Sequence, residues 1–166
     1  MILRYIMILA AAFFMVINPV LAQSETSLFE KLDGTWRATG NSFYEKAQSK
    51  MVWSKTLGDH FYRIDYSFST TGKAEEGFTG IGHYRMADRP DVTGYWVDNS
   101  GDLHPLNGKV KGDRLRTIWG EAGSKQGLTE YLLLPDGGLQ VTDWLLTDDG
   151  WREFNKTTFQ KQSAGQ

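Results

Sequence analysis

The stretch Phe78–Asp102, FTGIGHYRMADRPDVTGYWVDNSGD, decides the fold. It reads as two antiparallel strands, Phe78–Met86 and Val92–Asn99, joined by a tight polar link of Asp88, Arg89, Pro90 and Asp91. Gly80, Gly82 and Gly94 fall inside the strands, beside Tyr84, Tyr95 and Trp96. Glycine weakens a strand interior, so its repeated use there signals a sharp bend or a group lying close against the backbone. Glycine-rich, aromatic-rich strands of this kind suit a small closed barrel with room inside.

Outward from this hairpin, turn signals recur at short intervals. They are Gly58-Asp59, Thr71-Gly72-Lys73, Ser100-Gly101, Asn107-Gly108, Gly112-Asp113, Pro135-Asp136-Gly137-Gly138 and Asp148-Asp149-Gly150. Between them lie runs rich in aromatic and β-branched residues, with no sustained helical period. The spacing predicts strands over Thr35–Tyr44, Lys50–Leu57, His60–Thr70, Gly77–Met86, Val92–Asn99, Leu103–Asn107, Arg114–Gly120, Gly127–Leu134, Leu139–Thr147 and Trp151–Lys161. Ahead of them, Ser27 and Glu30 form a capping-box pattern with Leu28, Phe29 and Leu32, which predicts one short helix ended by Asp33-Gly34 and lying across a barrel end.

Several strands carry polar residues on both faces. His60–Thr70 sets Tyr62, Ile64, Tyr66 and Phe68 against Phe61, Arg63, Asp65 and Ser67; Leu139–Thr147 sets Leu139, Val141, Asp143 and Leu145 against Gln140, Thr142, Trp144 and Leu146. A dry sandwich interior would exclude such interruptions, whereas a barrel lumen with a few hydrogen-bonding groups accommodates them. The expected fold is therefore all-β, an antiparallel up-and-down barrel of about ten strands behind a short N-terminal helix.

The first 22 residues read differently: Arg4 is the only charge, Tyr5–Ile17 is apolar, Asn18-Pro19 breaks the run and Val20-Leu21-Ala22 offers a small-residue cleavage site. This is the pattern of a secretory signal peptide, with an apolar run short for a membrane span. The expectation is a periplasmic or secreted protein, a single barrel over residues 23–166, without a stable membrane anchor. There is no cysteine, so no disulfide framework supports it. Without Arg4 the chain carries 17 basic and 20 acidic residues, a net charge of −3, and the scattered lysines form no phosphate-tracking groove. Nucleic acid is an unsuitable partner.

Gly34-Thr35-Trp36, directly after the short helix, resembles the Gly-x-Trp that opens the first strand of calycins, the lipocalin-like barrels. Gly77-Phe78, Gly80, Gly82, Tyr84, Trp96-Val97-Asp98-Asn99 and Gly101 also resemble an uncharacterised family of small bacterial calycin-like barrels. The resemblance implies that Trp36 packs at the closed end beneath a basic residue of the last strand, either Arg152 or Lys156. Haem-binding relatives attach iron through a late histidine. This chain has none after His104, so that role is not carried over, and no cofactor is expected.

Among side chains able to do chemistry, His83 sits in mid-strand and is a candidate general base, against the plainer reading of a hydrogen-bonded spectator. His60 and His104 lie at turn edges without a ligand-spaced partner, so no metal site is expected. Asp65, Asp98, Glu130, Asp143 and Glu153 are carboxylates inside apolar or aromatic runs. A pair sharing one lumen could divide acid and base work, while the plainer reading pairs them with Arg63, Arg114, Arg116 or Arg152. Asp98, following Trp96-Val97, is the preferred one. The six tryptophans and seven tyrosines are the most informative residues. Trp53, Tyr66, Trp96, Trp119, Tyr131 and Trp144, from different strands, are expected to wall a cavity, with Arg85, Arg116 or Asp98 orienting a polar end of the ligand. No Gly-x-Ser-x-Gly, P-loop or Rossmann pattern is present, and Asn155-Lys156-Thr157 matches a glycosylation acceptor. Three readings follow: a binding module for a small apolar or aromatic molecule, a cofactor-free isomerase, cyclase or lyase using His83 or a lumen carboxylate, and an envelope protein with a filled barrel.

Overall fold

The computed structural model describes residues 27–40, 47–70, 77–85 and 90–163. The signal-peptide stretch, the Thr71-Gly72-Lys73 turn and the Asp88-Arg89 part of the hairpin link lie outside them.

Helix α1, Leu28–Leu32, forms because its first turn is capped reciprocally: Glu30 N donates to Ser27 Oγ and Ser27 N donates to Glu30 Oε2. Ten strands follow, β1 (Gly34–Thr39), β2 (Gln48–Thr56), β3 (Phe61–Ser69), β4 (Phe78–Arg85), β5 (Asp91–Asp98), β6 (Leu103–Lys111), β7 (Arg114–Gly120), β8 (Gln126–Leu133), β9 (Leu139–Thr147) and β10 (Gly150–Lys161). Each pairs antiparallel with the next, and β10 returns to β1, so the sheet closes into a barrel. Closure removes both sheet edges. The expected up-and-down architecture is what the chain adopts.

Two boundaries differ from the sequence reading. Strand β1 ends at Thr39. Asn107-Gly108 makes no turn, because β6 runs through it and pairs Asn107 with Ile118 and Gly108 with Thr117. Gly108 is needed in mid-strand because a Cβ there would collide with the Arg116 carbonyl and Thr117. It marks a close approach of two strands.

The barrel is filled unevenly. At the end holding α1, Phe29 stacks on Tyr62 at 5.1 Å and lies 6.2 Å from Trp53 and 6.1 Å from Tyr84. Around them Leu32, Trp36, Met51, Ile64, Leu115, Leu139 and Phe159 are essentially inaccessible. This half is a close-packed core. The resemblance put Arg152 or Lys156 over Trp36. Lys161 takes that position instead, its Nζ 5.3 Å from the Trp36 ring and donating to the Lys31 carbonyl at the end of α1. The reason is register: Trp36 is paired with Lys161 across the β1–β10 seam. Trp36 itself donates from Nε1 to the Leu32 carbonyl at 2.7 Å, which ties helix, first strand and last strand together.

Candidate functional site

Beyond the packed half, inward-facing side chains become polar, then aromatic again toward the other end. Tyr84 and Tyr131 place their hydroxyls 3.3 Å apart at the boundary. Burial drives the Tyr84 phenol up to about 12 and the Tyr131 phenol well above its ordinary value, so both stay protonated donors across the physiological range. Tyr66 on β3 is likewise pushed to about 12, chiefly by burial, with a hydrogen bond to Ser49 opposing the rise. Thr117 is buried beside Tyr84, and its Oγ1 makes no well-formed hydrogen bond.

Above this layer stands one carboxylate. Asp143 accepts from Thr129 Oγ1 at 2.7 Å on Oδ1 and from Asn155 Nδ2 at 2.8 Å on Oδ2. Asn155 is oriented in turn by Thr157, whose hydroxyl donates to Asn155 Oδ1 at 3.2 Å. Burial raises the Asp143 pKa, and the two hydrogen bonds pull it part of the way back. The strands explain the placement: Asp143 is cross-strand partner to Thr129 on β8 and to Asn155 on β10. The pairing register shifts between Glu153 and Asn155, which keeps Asn155 on the inward face. Asp143 remains partly accessible although protein surrounds it.

Aromatic rings frame the mouth. Phe78 and Trp96 stack at 6.3 Å and 13°, with Tyr66 at 6.1 and 6.4 Å from them. The arc continues through His104, cross-strand partner of Trp96, to Trp119, 5.2 Å from the His104 ring. The tryptophan rings lie flat against glycine: a Cβ at Gly80 would enter the Trp96 ring, and one at Gly127 would enter the Trp119 ring. Trp96 Nε1 donates to Asp98 Oδ2 at 3.0 Å, while Asp98 Oδ1 accepts from Ser100 N at 2.9 Å. Asp98 therefore positions the ring and closes the turn after β5. Tyr66, Phe78, Trp96 and Trp119 face inward and are only partly buried, with Tyr66, Trp96 and Trp119 packed against the edge of the core cluster.

Of the residues expected to line a cavity, Tyr66, Trp96 and Trp119 meet in this open half. Trp53 and Tyr131 also face inward, but in the packed half, where they are 1% and 5% exposed. Four expectations are displaced by strand alternation. Arg85 is exposed at the end of β4, and Arg116 lies outside, its Nε 3.4 Å from Glu130. Trp144 points outward because its neighbours Asp143 and Leu145 take the inner face. His83 is on the outer wall between Arg63 and Tyr95, stacked on the Tyr95 ring at 4.9 Å. Burial lowers the His83 pKa, nearby Arg63 lowers it further and Asp65 opposes, so the ring is neutral at pH 7. Its Nδ1 has no hydrogen-bond partner among the described residues. The sequence reading passed over Phe78, Thr129 and Asn155, and named Asp143 without selecting it. The available signal was its place as the lone charge on the Leu139, Val141, Leu145 face.

An open groove of about 420 Å3 runs along the rim, lined by Tyr95, Leu103, His104, Pro105, Gly120 and Ser124. No group of three or more potential metal ligands occurs among the described residues.

The molecule belongs to the class of closed ten-stranded antiparallel barrels, a fold compatible with holding a ligand. The crystal structure of Rv2717c from M. tuberculosis is similar to it, with a TM-score of 0.58 over 80% of this chain and 94% of that one. At 14% sequence identity the similarity concerns the fold alone. No family model and no curated protein matches the sequence.

Proposed function

We propose that this chain is an exported, calycin-like binding protein that holds a small apolar or aromatic molecule in the open half of its barrel. The observation carrying this reading is the uneven filling of the lumen: one half is sealed by α1 and a dense aromatic core, while Tyr66, Phe78, Trp96 and Trp119 face inward in the other half and stay partly accessible. Aromatic walls with a few convergent polar groups are the usual lining of small-molecule sites. The acid–base alternative loses His83, which stands on the outer wall, and Asp98, whose two oxygens are committed to Trp96 and Ser100.

The uncharged probe N-phenyl-1-naphthylamine tests the reading. It should bind saturably and quench tryptophan emission, and Trp96→Ala should weaken binding about tenfold, equivalent to ~1.4 kcal/mol, without unfolding the barrel. Absence of saturable binding, or binding indifferent to Trp96, refutes it. Export is read from the signal-peptide pattern of residues 1–22, and the mature N-terminus is proposed at Gln23. Intact-mass measurement on the exported protein should find that start; a chain retaining Met1 contradicts it.

A further inference from the structure

We infer that the lumen selects ligands carrying a cationic nitrogen on an aromatic body, an aryl-alkyl amine, with the ammonium group seated on Asp143. The inference rests on the lumen reading above and adds the ligand's polar end to it.

Three observations support it. Asp143 is prepared before any ligand arrives. Thr129 and Asn155 hold one oxygen each, at 2.7 and 2.8 Å, and Thr157 fixes the Asn155 amide with its nitrogen toward the carboxylate. An ionised carboxylate offers about four acceptor positions, so two remain after those bonds are made. A positioned acceptor costs a ligand less to engage than one that must be ordered first.

The sign of the lumen is also set. Arg85 and Arg116, expected to orient a polar end, lie on the outside. At the depth of Asp143 no described inward-facing residue is lysine or arginine; Arg152, cross-strand partner of Leu145, is an exposed cation nearer the open rim, and Lys125 Nζ lies 6.0 Å from the Trp119 ring. Lys55 and Lys161 are at the opposite rim, engaged with Glu30 and the Lys31 carbonyl. A ligand carboxylate seated beside Asp143 would meet like charge, with the cations of Arg152 and Lys125 further out, whereas an ammonium ion would supply the partner that a buried carboxylate lacks. Finally, the walls match such a molecule: the faces of Tyr66 and Trp96 favour an aromatic body and also attract a cation, as the Trp119 ring does with Lys125 at 6.0 Å.

The groups facing Asp143 are Thr129 and Tyr131 from β8, Asn155 from β10, Tyr66 from β3 and Tyr84 from β4. At the mouth stand Asp98 from β5, His104 from β6, 3.4 Å from Asp102, Arg152 from β10 and Lys125, which lies over Trp119 and 3.4 Å from Asp102.

Calorimetric titration with 2-phenylethylamine, 2-phenylethanol and 3-phenylpropanoate separates charge from shape. The amine should bind at least about tenfold tighter than the alcohol, as expected for a hydrogen bond to a charged group, and the propanoate should bind weakest. Asp143→Asn should abolish the amine's advantage and leave the alcohol's affinity within about threefold. If that variant does not fold, the unaltered protein still decides: amine affinity, unlike that of the alcohol, should fall between about pH 7 and about pH 4 as Asp143 takes up a proton. The same profile should persist in His104→Gln and in Asp98→Asn, which remove the other titratable groups at the mouth. Equal affinity for amine and propanoate, an amine preference that survives Asp143→Asn, or a flat pH profile overturns the inference. Alcohol binding that depends on Trp96 without an amine preference overturns it while leaving the lumen reading intact. If none of the three compounds and no N-phenyl-1-naphthylamine binds, both fail.

Discussion

Replacing Gly80 by Ala sets two effects of opposite sign against each other. In a strand interior alanine is ordinarily better than glycine by roughly 0.5–1 kcal/mol, because less backbone freedom is lost. At Gly80, however, the new methyl enters the volume of the Trp96 ring. The ring must move, and overpacking of this kind costs roughly 1–3 kcal/mol. Movement also disturbs the 13° stack with Phe78 and the 3.0 Å hydrogen bond to Asp98. Asp98 is partly solvated, so that bond is counted at about 1 kcal/mol, the lower part of its range. The expected net result is a loss of about 2 kcal/mol, or a fall in Tm of about 4–8 °C for a domain of this size. Urea unfolding followed by circular dichroism measures it. A cycle with Trp96→Val isolates the cause: with the ring gone, Gly80→Ala should become neutral or mildly stabilising, giving a coupling energy of about 2 kcal/mol. A single variant as stable as the parent, or a coupling below about 0.5 kcal/mol, refutes the claim that Gly80 is there to seat the ring.

Other expectations follow from the same geometry. Asp143 has a raised pKa in the folded state, so its contribution favours folding at low pH and is lost as pH rises through the folded-state value. Asp143→Asn should therefore melt higher than the parent at pH 7, with the advantage vanishing below the ordinary carboxylate range; thermal melts across pH test this, and a lower Tm at pH 7 contradicts it. Lys161→Met removes the cation over Trp36 and the bond to the Lys31 carbonyl, and should cost about 1 kcal/mol in chemical denaturation. Arg152→Met, at an exposed position, should stay within about 0.5 kcal/mol of the parent. The His83 ring should titrate by NMR below the ordinary histidine value, since burial and Arg63 both oppose its charge; a midpoint above that value would contradict the placement.

The barrel was legible because its signals are local. Glycine beside tryptophan in the Phe78–Asp102 stretch told of rings lying on backbone, and the Gly80–Trp96 contact is that feature. Ser27 and Glu30 announced the helix for the same reason, since a capping box is complete within four residues. The inward face was harder to read. In β9, Asp143 and Trp144 are neighbours, and hydropathy favours the tryptophan for an interior. Asp143 turns inward because Thr129 and Asn155, far off in sequence, arrive beside it with donors. Similarly, Arg116 looked available until Glu130 on the adjacent strand claimed it from outside. The choice of Lys161 over Arg152 or Lys156 depended on the β1–β10 register, which no short motif encodes.

The seam between β1 and β10 also governs how the molecule is made. Trp36 meets Lys161 and Arg37 meets Gln160 there, so the earliest strand to leave the ribosome must wait for the latest. Until then the nascent sheet has two bare edges, and ring closure is a late, slow event with a large loop to span. A synthetic copy of the β10 segment should compete for the waiting edge during refolding and arrest the chain as an open sheet.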